Sequence, residues 1–100
     1  MSSHKHQIDL SDAAQRDFRD ILSYTLRTWG EPQFIEYKNL LDSALNAISI
    51  NPESGRSNKG SAIRVFLVGR HAVYYRIENN IIYIIRILHD RMHAAWHLNE

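Results

Sequence analysis

The sequence predicts an α+β domain: a short N-terminal strand, then an antiparallel two-helix hairpin packed on an antiparallel three-stranded meander. Three observations predict it. Apolar residues recur at helical spacing in two long stretches before residue 51, and short β-branched and aromatic runs follow residue 62. The breaks between those runs are Gly69-Arg70 and Asn79-Asn80, residue types that tolerate the positive φ of tight hairpin turns.

Gln7 to Leu10 alternates polar and apolar and is too short to stand alone, so it is expected as an edge or added strand. Ser11 is a good N-cap for a helix with Asp12 in its first turn, at the positive end of the helix dipole. Ala14, Phe18, Ile21, Leu22, Thr25 and Trp29 then form one stripe, and Gly30 stops the helix. Glu31-Pro32 places proline where a first turn accepts it, and Phe34, Tyr37, Leu41, Ala44, Leu45 and Ile48 define a second helix. With two or three residues between them, the helices must fold back on each other. Asn51-Pro52 ends the second helix, and residues 53–61 are expected to be a mobile polar connector without an apolar anchor. Strands follow at Ile63–Val68, Ala72–Ile77 and Ile81–His89. The last is apolar on both faces, which predicts a central, doubly covered strand.

One hundred residues with 44% hydrophobic content suit a single domain over residues 1–100, able to bury about two-thirds of its unfolded surface. The absence of cysteine excludes disulfides, thiolate metal sites and a thiol nucleophile, and fits a reducing compartment. The N-terminus lacks an apolar signal core, and the longest apolar run, Ile81 to Ile85, is far below the roughly 20 residues that span a bilayer. A soluble cytoplasmic protein without a membrane partner is expected. Net charge is +1, divided as −3 over residues 1–54 and +4 over residues 55–100. Arg64, Arg70, Arg76, Arg86 and Arg91 carry most of the basic half, as residues suited to planar anionic partners or as solvated charge balancing the acidic helices.

Six histidines raise the question of metal binding. His93 and His97 have the i, i+4 spacing of a helical chelate, with His89 within reach, yet no carboxylate or cysteine stands at matching spacing. Neither a metal nor a cofactor is therefore expected. A metal-free ribonuclease would need cations to stabilise a phosphorane-like transition state and a His or Tyr to move protons. Arg64, Arg86, His89 and Arg91 are its candidates, whereas Tyr74, Tyr75 and Tyr83 fit core and cross-strand pairs better. A nuclease would also be expected to carry more positive charge than +1 for grasping RNA.

Several landmarks stand in a specific order: Thr28-Trp29-Gly30, Asn51-Pro52-Glu53-Ser54-Gly55-Arg56, Val73-Tyr74-Tyr75-Arg76 and Ile87-Leu88-His89-Asp90-Arg91-Met92. Over nearly the whole chain this resembles the ParE branch of the RelE/ParE toxin superfamily. The resemblance implies a toxin that a co-expressed antitoxin neutralises and that acts on DNA gyrase when free, as a binding poison rather than an enzyme and without sequence-specific nucleic-acid binding. RelE-type relatives share the fold but cut ribosome-bound mRNA with a basic cluster and commonly a C-terminal tyrosine. Here no tyrosine follows Tyr83; Trp96 and His97 stand in that region instead. The third possibility is a family member that only binds its antitoxin.

Two surfaces are expected. Antitoxins of this superfamily wrap their toxins with a helix and extended segments, which here points to the helical hairpin and to an exposed edge carrying Ile63, Arg64, Phe66 and Val68. The target surface is expected at the basic sheet end and tail: Arg70, Arg86, His89, Arg91, Met92, His93 and Trp96. Leu88, Met92 and Trp96, at four-residue steps, equally suit the apolar stripe of a short tail helix that closes the core.

Overall fold

The structure, a computed structural model, describes residues 5–57 and 60–90, so Arg91, Met92, His93, Trp96 and His97 lie outside the described residues. Strand β1 (Gln7–Leu10) leads into helix α1 (Asp12–Trp29). Ser11 caps α1 as expected, its Oγ accepting the Ala14 N–H at 2.9 Å. Gly30, at φ 92°, both ends α1 and precedes helix α2 (Glu31–Ile50). The connection is thus one residue, shorter than expected, because a single glycine in a left-handed conformation reverses the chain.

Both helices bury one stripe. Ala14, Leu22 and Thr25 come from α1, and Leu41, Ala44, Ile48 and Ser49 from α2. Trp29 departs from expectation: it continues the spacing of the stripe but is 68% exposed. The stripe reaches the helix end at the hairpin turn, where α1 lines a groove instead of the core.

The remaining strands are β2 (Arg56–Ser57), β3 (Arg64–Val68), β4 (His71–Glu78) and β5 (Ile81–His89). They form a five-stranded sheet in the order β1-β5-β4-β3-β2, antiparallel except for β1, which runs parallel to β5. The expected meander is its centre, and Asn79 and Asn80, at φ 52° and 65°, make the turn between β4 and β5. The middle strand is β4 rather than β5, because β2 and β1 extend the meander on opposite sides. Strand β5 carries apolar residues on both faces, but among the described residues the helices cover only one. Ile82, Ile84 and Ile87 join the core under the helices, while Leu88 packs with Val65, Ala72 and Tyr74 in a second cluster on the other face. A register shift between Tyr74 and Tyr75 lets both 84 and 87 face the helices.

The connector after α2 is not the unanchored segment the composition suggests. Pro52–Ser54 forms a 3-10 turn, and Tyr75 reaches it from β4, accepting the Gly55 N–H at 2.9 Å and donating to the Pro52 carbonyl at 2.7 Å. Arg64 Nη1 donates to the Gly55 carbonyl at 2.9 Å. The anchor is polar and distant in sequence, so apolar patterning could not show it.

Candidate partner groove and basic sheet end

Strand β1 stops at Leu10, opposite Ile84, yet β5 continues to His89. Side chains of α1 satisfy the backbone that β1 leaves behind. Ser11 Oγ donates to the Ile85 carbonyl at 2.8 Å, and Asp17 Oδ2 accepts the Ile87 N–H at 3.0 Å. The same carboxylate takes Arg86 Nε at 2.8 Å and Nη2 at 3.0 Å, a two-pronged ion pair. Asp17 raises the Arg86 pKa further above its ordinary value, chiefly by hydrogen bonding.

Beside this junction a groove of about 1070 Å³ opens between the helices. Its walls follow from helical spacing: Asp17, Asp20, Ile21, Tyr24 and Trp29 from α1, and Gln33, Glu36, Tyr37 and Leu40 from α2. Tyr24 is 58% exposed, Trp29 68% and Leu40 43%, an apolar concentration that a solvated monomer surface does not require.

The turn between β3 and β4 and the end of β5 form the floor, with Gly69, Arg70, His71, Leu88 and His89. Tyr37 pins α2 to this turn. Its Oη accepts the Arg70 N–H at 3.1 Å and hydrogen-bonds His71 Nδ1. Gly69, at φ 55°, leaves the ring room, since a Cβ there would lie 2.7 Å from Tyr37 Oη. Burial raises the Tyr37 phenol pKa. Burial, reinforced by His89, lowers His71 to about 4, so its ring is neutral near pH 7. His89 meets His71 edge to face, with centroids 5.3 Å apart, and places Nδ1 2.6 Å from Asp90 Oδ1.

The candidates named from sequence fall unevenly on this geometry. Arg70 and His89 line the groove, and Arg86 joins the same end through Asp17. Arg64 is remote, tying down the Gly55 loop. On β3, Val68 is buried and Phe66 packs against the main core, while Ile63, just before the strand, packs against the second cluster. The edge is shorter than expected, because β2 pairs with Arg64 and Val65; among the described residues Phe66 to Val68 have no further strand beside them, and Leu67 is 60% exposed. Sequence reasoning missed Asp17, Asp20, Tyr24, Glu36, Leu40 and His71 as groove residues. Their signal is a second, mixed polar and aromatic stripe beside the core stripe on each helix. Among the described residues no group of three or more His, Asp or Glu is arranged to hold a metal, and no helix is long and apolar enough to cross a membrane.

Comparison with known proteins agrees with this architecture. Residues 8–94 match the model of the ParE toxin of the type II toxin–antitoxin system parDE. Toxin ParE1 of Caulobacter vibrioides is 34% identical over 91 residues, covering 89% of this chain and 94% of that protein. The chromosomal ParDE system of P. aeruginosa supplies a similar solved chain, with a TM-score of 0.73 at 16% identity over 87% of this chain and 98% of that one. The RelBE2 toxin–antitoxin complex of Mycobacterium tuberculosis gives 0.59 at 16% identity, over 85% and 98%. The RelB–RelE complex of Methanococcus jannaschii gives 0.56 at 15% identity, over 87% and 95%. At such identities these structures share the fold alone. The family match and the Caulobacter relative together show that this chain belongs to the ParE toxin family of type II toxin–antitoxin systems.

Proposed function

We propose that the chain is a non-enzymatic toxin, held silent by an antitoxin in the groove between α1 and α2 and, when released, a cytoplasmic binder and inhibitor of DNA gyrase. The observation that carries the non-catalytic part is the Asp17–Arg86 pair. An arginine meant to stabilise a pentacovalent phosphate must offer its N–H fork to the substrate, and this fork is already filled by a carboxylate. Arg64 likewise gives Nη1 to the Gly55 carbonyl. The exposed Tyr24, Trp29 and Leu40 in the groove between the helices are the anchors offered to the antitoxin.

Helix-in-groove docking suits the hairpin, and the open edge at Phe66 to Val68 suits an added extended segment, so one antitoxin chain can use both modes. The basic sheet end, Arg70, Arg86 and His89 with Arg91, Met92, His93 and Trp96 of the following sequence, is the proposed gyrase surface. Gyrase as target rests on family membership. Supercoiling and DNA-cleavage assays with purified gyrase test it: inhibition or trapped double-strand breaks support the reading. Cleavage of translating mRNA with gyrase untouched would replace it with the RelE-like one, and antitoxin binding without toxicity would leave an inactive member.

A further inference from the structure

The groove carries charges that the toxin's own packing does not use. Three acids line its two walls, Asp17, Asp20 and Glu36, and the one cation among the described lining residues, Arg70, lies on the floor at the turn between β3 and β4. Asp17 is taken by Arg86, whereas Asp20 and Glu36 have no hydrogen-bond or ion-pair partner among the described residues. They stand one on each wall, Asp20 on α1 and Glu36 on α2, with the apolar Tyr24, Trp29 and Leu40 lining the same groove. An apolar trough with one uncompensated acid on either side is complementary to a particular kind of segment.

We propose that Asp20 and Glu36 are specificity residues that select an amphipathic helix whose apolar ridge is flanked on both sides by lysine or arginine. The inference rests on the reading of the groove as the antitoxin's seat and adds the chemistry its occupant must have. A volume of about 1070 Å³ exceeds what most small-ligand pockets offer, roughly 300–1,000 Å³, and suits a row of side chains. A helix presents such a row with flanking residues directed to both walls. An extended strand sends alternate side chains straight away from the surface and aims none sideways. The acids also act against wrong partners, because a helix flanked by glutamates would place like charges against both walls. The antitoxin segment in the groove is therefore locally basic, whatever the net charge of the whole antitoxin.

The test uses two labelled helical peptides with one leucine ridge, flanked either by lysines or by glutamates, and fluorescence anisotropy with the whole toxin chain. The lysine peptide is expected to bind at least about tenfold more tightly, a preference that narrows in high salt. The double variant Asp20→Lys/Glu36→Lys is expected to invert the order, and an unchanged melting curve shows that it folds. Leu40→Asp is expected to weaken both peptides. Equal affinities, indifferent to the double variant but abolished by Leu40→Asp, would overturn the charge selection and leave the groove standing. Failure of both peptides to bind, or binding indifferent to Leu40→Asp, would overturn the groove reading and the selection with it.

Discussion

Asp17 and Arg86, 69 positions apart in sequence, meet in a two-pronged ion pair at 2.8 and 3.0 Å, and the oxygen that receives Nε also receives the Ile87 N–H. One helix side chain thereby takes up backbone and side-chain donors of β5 beyond the end of β1 and fixes the first part of α1 on the sheet.

The two partners should respond unequally to truncation. Asp17→Ala leaves a partly buried guanidinium and a backbone N–H without their acceptor, at a cost of about 2–3 kcal/mol. Arg86→Ala leaves Asp17 its Ile87 bond, at a cost of about 1–2 kcal/mol. Urea unfolding of both variants checks the order. Equal losses would mean that the backbone bond contributes nothing.

His71 gives stability a pH dependence whose sign follows from its environment. Its folded value, lowered to about 4 by burial and by His89 against the opposing pull of Asp90 and Asp17, lies below its ordinary 6.5. Between these values the unfolded chain binds the extra proton, so this contribution is complete above pH 6.5 and is lost as pH falls toward 4. His71→Gln keeps a side chain able to hydrogen-bond Tyr37 but cannot titrate. The wild-type chain should lose more stability than this variant between about pH 7.5 and about pH 4.5 in chemical denaturation. Parallel losses would show that His71 is not the group responsible.

Tyr75 anchors the Gly55 loop by two hydrogen bonds and leaves no space beside it. Tyr75→Phe orphans the buried Gly55 N–H and should cost about 1–3 kcal/mol. Gly55→Ala drives a methyl into the Tyr75 ring and should cost a comparable or larger amount, about 1–3 kcal/mol from overpacking plus any lost bonds. Thermal melts of the two variants and their combination check this. A double variant no worse than Gly55→Ala alone would confirm that both act on one contact.

Trp29 contributes surface rather than core, so Trp29→Ala should leave the melting temperature nearly unchanged while weakening antitoxin binding by about 2 kcal/mol or more. Calorimetric titration with the co-expressed antitoxin measures the second quantity. Unchanged affinity would move the antitoxin off the hairpin.

What the sequence disclosed follows the range of its physical signals. Ser11, the apolar stripes and the Asn79-Asn80 turn act locally, so α1, α2 and the β4–β5 hairpin were legible from residue order. Features built by distant pairs were not. The parallel pairing of β1 with β5 joins Gln7 to Ile81, and β2 is held by its partners on β3 and by Tyr75 rather than by any apolar pattern of its own. The groove escaped notice for a related reason. Trp29 and Tyr24 have the spacing of core residues or their neighbours, and only the hairpin turn at Gly30 and the placement of the sheet decide which face is covered. Asp17 resembled one more solvated helix charge until the end of β1 and the bulge in β5 brought Arg86 to it.

The proposed toxin binds gyrase and leaves RNA uncut. The direct measurement compares purified toxin and its Arg70→Ala variant in a gyrase supercoiling and DNA-cleavage assay, alongside translating ribosomes whose mRNA is mapped for cuts. Gyrase inhibition or trapped breaks that weaken with Arg70→Ala are expected, together with intact mRNA. Codon-dependent cuts in ribosome-bound mRNA, with gyrase unaffected at saturating toxin, would contradict the proposal.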